Sequence, residues 1–251
     1  MPEEFPHYIE FRHVYKTFDK PVLVDSNFAV DAGQTVAIIG RSGVGKSVTL
    51  AHIMGFLKPD QGRVIVSHED ITDFGESDLR RIRRKVTMVF QSGALFDSMT
   101  VAENVLFSLE LREDYDEQNK EDVVNGLLKM VDIYEARDAY PADLSTGYKR
   151  AVAIARALAA QSQCILYDEH TTMVDPIMSD HLADLMLRLK RQLKLTSVVV
   201  THDLDLMYRA ADHVVFLHQG HVIYFGPTKE LEKSGHPHIQ EFLALDRVEK
   251  A

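Results

Sequence analysis

The sequence predicts an α/β fold built on a mainly parallel sheet, with a helical stretch inserted into it. Three observations carry this. Short segments such as "TVAIIG" (35–40), "CILYD" (164–168) and "TSVVVT" (196–201) are almost wholly apolar. That pattern suits strands covered on both faces. Longer segments with apolar residues at helical spacing alternate with them, as in units that join parallel strands through helices. Between 92 and 144 helical spacing dominates, interrupted by the acidic stretch "REDYDEQNKED" (112–122).

Taken in order, "VLVDSNFAV" (22–30) and "TVAIIG" read as strands, and a helix is expected from near Gly45 to about Leu57, closed by "KPDQG". "GRVIVS" (62–67) and "KVTMVF" (85–90) are further strands. A long helix (148–161) leads into the "CILYD" strand, and a helix over 179–194 leads into "TSVVVT". "HVVFLHQGHVIYFG" (213–226) reads as a hairpin. Leu182, Leu185, Met186 and Leu189 form an apolar stripe that is expected to pack inward. The basic run "LRRIRRK" (79–85) is expected to be a solvated face, with contact to lipid head groups or a partner as the alternative. The whole chain, 1–251, is expected to be one domain, with a core from 1–91 and 145–251 and a helical subdomain over 92–144.

The chain has 251 residues, 45% of them apolar, which is enough for one sizeable core with or without a smaller lobe. Its formal charge is −10, so nucleic acid is not expected as a partner. The single cysteine, Cys164, excludes an internal disulfide and is expected in the core of a protein from a reducing compartment. The N-terminal "MPEEFPHYIEF" lacks a signal-peptide pattern, and no uncharged apolar run reaches the ~18 residues of a membrane span. The chain is expected to be soluble, with any membrane role acting through a partner.

The chemistry begins at "GRSGVGKS" (40–47), which fits G-x-x-x-x-G-K-[ST], follows an apolar strand and opens a helix. Gly40, Gly43 and Gly45 allow the tight loop whose N–H groups point at phosphate oxygens. Lys46 adds a point charge for the β- and γ-phosphates. The Ser47 hydroxyl can ligate Mg²⁺, and the helix dipole favours the anion. "NKED" (119–122) matches a guanine-reading motif, but it lies in an acidic stretch rather than after a buried strand, and no D-x-x-G occurs in the chain. A GTPase is therefore not expected. "HPH" (236–238) has no further ligands nearby in sequence and is not read as a metal site.

Four further features follow the P-loop: Gln91 after "VTMVF", "LSTGYKR" (144–150) before a helix, Asp168 and Glu169 after "CILY", and His202 after "SVVVT". Together they resemble the ATP-binding subunit of ABC transporters over nearly the whole chain. "GKSVTL", "FQSGALFDSMTVAEN" and "YDEHTTMVDP" look like the ATPase of MCE-type (Mla-like) systems, which move phospholipids or other lipids across bacterial envelopes. The resemblance implies a P-loop NTPase (RecA-like) core, an antiparallel β part and an inserted helical subdomain. It implies ATP and Mg²⁺, with the nucleotide on residues 40–48 (Arg41, Ser42, Val44 and Val48 included), and either Phe18 or Tyr15 stacked on adenine. Ser47, Gln91 and Asp168 would serve the metal. Glu169 would polarise the attacking water, His202 would bond the γ-phosphate region, and Asp175 would lie at the dimer seam. Ser145 and Gly147 would cover the γ-phosphate held by a second copy, giving a head-to-tail homodimer. The resemblance also implies an integral membrane permease, docked near Gln91 against a region holding Leu95, Phe96, Met99 and Val101. An MCE-domain protein would act further along, and the chain would sit on the cytoplasmic side of the inner membrane.

The sequence departs from the family at Thr146, His170, Met173 and Val174, where glycine, proline, glycine and leucine are usual. A methionine in place of a residue free to take positive φ would carry strain of about 1 kcal/mol or more. None of these changes deletes a group that would touch Mg²⁺, water or phosphate, so an active ATPase is expected. The alternatives are a hydrolysis-impaired regulatory subunit and a soluble non-transport ABC protein. The segment between Gln91 and Ser145 is short and acidic, which disfavours the latter.

Overall fold

The structure, a computed structural model, describes residues 5–112, 114, 116–169 and 176–249. The strands are β1 (Ile9–Thr17), β2 (Pro21–Val30), β3 (Thr35–Ile39), β4 (Gln61–Val66), β5 (Glu69–Asp70), β6 (Val86–Val89), β7 (Cys164–Asp168), β8 (Thr196–Val200), β9 (His213–His218) and β10 (His221–Pro227). The helices are α1 (Lys46–Ile53), α2 (Glu76–Lys85), α3 (Val101–Glu110), α4 (Lys120–Met130), α5 (Thr146–Ala159), α6 (Pro176–Leu193), α7 (Leu204–Ala210) and α8 (Pro237–Glu249). His170, Met173, Val174 and Asp175, four positions singled out in the sequence, lie outside the described residues.

Two sheets organise the molecule. One has six strands in the order β10-β9-β3-β8-β7-β6 and is parallel except for the β9–β10 hairpin. The other is an antiparallel sheet of four strands in the order β2-β1-β4-β5. The strands β3 and β8 are buried at every residue, as their uniform apolar sequences require when both faces are covered. On one face α1 is sandwiched between the sheets, with Leu50 and Ile53 against Ile38, Val64 and Val198. On the other, α7 and α8 cover β3 and β9 through Leu204, Met207 and Ile239. A third cluster joins α3 and α4 to α5 and α6, where Val105, Leu109, Val124 and Leu128 meet Val152, Ile154, Leu182 and Leu185. No strand among the described residues falls within 92–144.

The expected elements are found with shifted ends. The helix α1 stops at Ile53, short of the expected Leu57, because Met54 closes the last turn and Gly55 takes φ 65°. The hairpin turns at Gln219 and Gly220, both at positive φ, the geometry of a tight two-residue connection. The strand β1 has no counterpart in the sequence reading. Its alternation breaks at His13, which takes φ 52°, so that Ile9, Phe11 and Val14 turn inward in an uneven rhythm. "LRRIRRK" also differs from the simple solvated face. It belongs to α2, whose Leu79 and Ile82 are buried while Arg80, Arg81 and Arg84 face out. Cys164 is fully buried, as expected.

Because Ile82 has no exposed surface and sits in the inter-sheet core, Ile82→Ala is expected to lower unfolding free energy by about 2–5 kcal/mol in urea titrations. A loss below ~1 kcal/mol would mean that α2 is not seated as described.

Candidate active site

Strand register decides where the site forms. Val200 of β8 pairs with Ile38 of β3 on one side and with Asp168 of β7 on the other. The loops after β3, β7 and β8 therefore leave the sheet at one level. In open α/β sheets the crevice beyond the carboxyl ends of the strands is where ligands bind.

The loop after β3 is shaped by glycine at two close approaches. A Cβ on Gly40 (φ 143°) would lie 2.3 Å from the Leu217 carbonyl oxygen, and one on Gly45 (φ 110°) would lie 2.8 Å from that of Val22. Gly45 caps α1 without any side-chain hydrogen bond, so the first amides of the helix stay available to an anion. Lys46 is buried, and its Nζ donates to the carbonyls of Gly40 at 2.9 Å and Arg41 at 3.2 Å. Val44 and Val48 pack against the core, Ser42 is exposed, and Arg41 pairs with Glu241 of α8 at 2.7 Å.

The carboxylates come from the end of β7. The Ser47 hydroxyl donates to Asp168 Oδ1 at 3.3 Å. Burial pushes the Asp168 carboxyl up from the ordinary carboxylate range, against the lowering effect of the Ser47 bond. Glu169 Oε1 lies 3.8 Å from Lys46 Nζ and 4.0 Å from His202 Nδ1. Burial pulls the Lys46 ammonium down, and Glu169 and Asp168 oppose that shift. Glu169 takes φ 47°, a conformation uncommon for a residue with a side chain, and its amide donates to the Val200 carbonyl at 2.9 Å. His202 sits on a braced turn, in which the Asp203 amide donates to Thr201 Oγ1 and Asp203 caps α7.

Lys46, Ser47, Asp168, Glu169 and His202 are thus brought together. The hydroxyl–carboxylate pair is a hard-oxygen set that suits Mg²⁺, a cation that takes few protein ligands when phosphates supply the rest. No group of three or more His, Cys, Asp or Glu among the described residues is placed to hold a metal. Phe18 is exposed, with Lys16 Nζ 5.6 Å above its ring, and Tyr15 is half-buried. Ser145 caps α5 by accepting from the Tyr148 amide, and Ser145 and Thr146 are exposed. Gly147 is packed within this chain. It is buried, and a Cβ there would meet Met178 Cγ of α6 at 2.0 Å, so packing within this chain already demands glycine.

Gln91 is exposed at the start of the loop after β6, and α5 secures that loop. The nearly inaccessible Arg150 donates through Nε to the Gln91 carbonyl at 3.2 Å, and Arg156 donates to the Ala94 carbonyl at 2.6 Å. Asn104 of α3 accepts from the Phe96 amide and donates to the carbonyls of Phe96, Met99 and Thr100. The sequence reading assigned no role to these three residues. The signal was a long polar side chain at an inward helical position, visible for Arg150 and Arg156 as cations among the alanines of α5. Of the expected docking residues, Val101 is core and Phe96 is partly exposed against Phe107.

Fold and site together define a P-loop nucleotide hydrolase. A family model described as "ABC transporter" matches residues 23–172. The chain belongs to the ABC transporter family as an ATP-binding subunit, and it is an ATPase. It is 36% identical over 244 residues to a methionine import ATP-binding protein, MetN 2, of Pseudomonas entomophila, covering 95% of this chain and 73% of that protein. Among solved structures, the dimeric ATP-binding cassette MJ0796 bound to ADP and Pi is similar with a TM-score of 0.80 and 30% identity, over 88% of this chain and 98% of that one. The cbiO1 subunit of the cbiONQ transporter from Clostridium perfringens has a TM-score of 0.84 and 27% identity, over 97% and 98%.

Arg150→Met, which keeps bulk but removes the donor, is expected to raise amide exchange in the 91–94 loop by about tenfold, equivalent to losing one net hydrogen bond of ~1–1.5 kcal/mol. Exchange in the P-loop should stay unchanged. Unaltered protection over 91–94 would show that α5 does not hold the loop.

Proposed function

We propose that this chain is the energy-coupling subunit of a lipid transporter, hydrolysing ATP beneath a membrane permease on the cytoplasmic side of a bacterial inner membrane. The observation that carries hydrolysis is the convergence of Lys46, Ser47, Asp168, Glu169 and His202 at one sheet edge. Lys46 and the free amides of α1 bind the phosphates, and one of the aromatics Phe18 and Tyr15 stacks on adenine. Ser47 and Asp168, with Gln91, would hold Mg²⁺, which when bound neutralises phosphate charge. Glu169 orients and polarises the attacking water, and His202 bonds the γ-phosphate region, since phosphoryl transfer depends on positioning and charge stabilisation.

The chain works as a head-to-tail homodimer, with Ser145 and the N-terminus of α5 facing the partner copy's nucleotide. Residues 92–144 act as a helical lobe, and the groove beside Gln91 receives a cytoplasmic helix of the permease. No helix of the described residues is long and apolar enough to cross a membrane, so attachment runs through that permease. The lipid cargo and an MCE-domain partner rest on "FQSGALFDSMTVAEN" and "YDEHTTMVDP". Methionine import is the second reading, favoured by the names of the similar curated proteins. Both cargo readings rest on an ATP-binding subunit rather than on a part that holds the transported molecule, so a transport assay decides between them.

Two variants test hydrolysis. Lys46→Ala is expected to abolish MgATP binding in calorimetry while the fold persists, and unchanged affinity would refute the P-loop assignment. Glu169→Gln is expected to keep ATP binding and lose hydrolysis by a factor on the order of 10² or more. The trapped ATP should hold an ATP-dependent dimer, visible by light scattering and lost when Ser145→Arg is added. Low wild-type turnover that Glu169→Gln leaves unchanged would instead mark a regulatory subunit. For cargo, the permease that co-purifies with the chain is reconstituted with it in vesicles. ATP-dependent movement of a labelled phospholipid is expected, and methionine uptake without lipid movement would reverse the choice.

A further inference from the structure

We propose that His218, His236 and His238, packed beside the Arg41–Glu241 ion pair, form a proton-sensitive latch through which α8 braces the P-loop at neutral pH and loosens it on acidification. The proposal rests on the P-loop reading above and adds its regulation. His218 ends β9, His236 lies just before α8, and His238 is in the first turn of that helix. The His218 and His238 rings stack with centroids 3.9 Å apart and planes 18° apart, and the His236 ring is 5.6 Å from that of His238. The run "HPH" (236–238) thus meets a third histidine that is distant in sequence. Rings lying face to face do not aim their nitrogens at one ion, so the cluster is not read as a metal site.

Two contacts lead from this cluster to the phosphate loop. Glu241, one turn further along α8, accepts from Arg41 Nη2 at 2.7 Å and stands 3.8 Å from His238 Nδ1. Leu217, the neighbour of His218, presses its carbonyl against Gly40, where a Cβ would lie 2.3 Å away. Gly40 and Arg41 are the two residues whose carbonyls accept from Lys46 Nζ. The cluster therefore touches the segment that aims the lysine. The Arg41–Glu241 pair is exposed and contributes little stability by itself, so its role is positional. Ile239 and Leu243 are buried, and Phe242 packs edge-on against Phe216. These anchors mean that a disturbance at the histidines tilts α8 rather than releasing it.

The proton acts on His218. The groups that face it are His238 of α8, His236 of the turn before α8, Arg41 of the P-loop and the carboxylate of Glu241. His221, its pair across the hairpin, is exposed and acts on Asp25. Burial holds the His218 imidazole below its ordinary range, His238, His236 and Arg41 add to that lowering, and Glu241 opposes it. The docked arrangement therefore binds fewer protons than one in which the first turn of α8 has shifted. Docking is undisturbed above the ordinary imidazole value of about 6.5 and weakens as pH falls below it. His236 Nδ1 is buried without a hydrogen-bond partner, so a shift that lets water reach it offsets part of the packing lost. Geometry and charge thus favour the same movement, at the point where α8 meets the P-loop.

The test measures MgATP affinity of the full chain by calorimetry between about pH 7.5 and about pH 5.5, with amide exchange read over 40–42 and 236–239. The wild-type Kd is expected to rise about threefold more than that of H218Q over this range, because the titration of ATP and of His202 is common to both. H238Q changes a half-exposed ring and serves if H218Q disturbs folding; it should flatten the response in the same way. E241Q should weaken binding at neutral pH to about the acidic wild-type level and respond little further. Exchange over 40–42, corrected for its intrinsic pH dependence, should rise on acidification in the wild type and not in H218Q. Equal pH responses in the wild type, H218Q and H238Q, or exchange over 40–42 that stays flat, would overturn the proposal and leave the histidines as packing for α8. Absence of MgATP binding at every pH would overturn the P-loop reading itself, and the proposal with it.

Discussion

The site depends on one register. Val200 is paired with Ile38 on one side and Asp168 on the other, and this fixes how far β3 and β7 extend relative to β8. A two-residue slip of β7 would keep its inward and outward faces but carry Asp168 roughly 6–7 Å along the strand, out of reach of Ser47. The uniform burial of β3 and β8 resists such a slip, because the sheet is packed on both faces. The Glu169 amide extends the same ladder by one bond to the Val200 carbonyl, which holds that residue at φ 47°. The strain is local and modest, of order 1 kcal/mol or more, and the surrounding ladder over-determines it.

Lys46 shows how the loop keeps its shape. Its ammonium is buried and would be costly without partners. Two main-chain carbonyls of the loop itself accept from it, and Glu169 stands 3.8 Å away. The lysine thus preorganises the loop, and an arriving phosphate meets a charge that is already desolvated and aimed. The electrostatics lean the same way: burial of Lys46 and Asp168 disfavours both charged forms, and each group offsets part of that cost for the other.

Much of this was legible in the sequence because the local rules agree with the fold. Apolar runs gave β3, β7 and β8, and the glycine spacing gave the loop between β3 and α1. The P-loop motif gave Lys46 and Ser47, and the polar groups at strand ends gave Asp168, Glu169 and His202. What escaped was decided by contacts distant in sequence or by broken periodicity. The bulge at His13 disguised β1. The helix α2 looked solvated because only Leu79 and Ile82 of its ten residues are buried. Arg150 and Asn104 read as ordinary polar residues, since nothing local says that a carbonyl 59 residues earlier, or a loop just before the helix, waits for them. Gly147 was read for an approach by another molecule, and its first constraint turned out to be Met178 of the same chain.

The helix α5 ties these parts together. Its N-terminus is exposed, capped by Ser145, and its first turn leans through Gly147 on α6, the helix that follows the carboxylate loop. One turn later Arg150 grips the Gln91 carbonyl, and further on Arg156 grips that of Ala94. A rigid helix of fourteen residues spans about 21 Å, so a displacement at either end is delivered to the other rather than absorbed between them. The loop carrying Gln91 has no regular structure of its own between Val89 and Val101 and takes its position from Arg150, Arg156 and Asn104. A partner pressing on the groove and a nucleotide ordering the sheet edge would therefore act on the same few bonds. Linkage makes that action reciprocal: whatever binding energy the groove gives to one position of α5, the nucleotide site must register with the same magnitude.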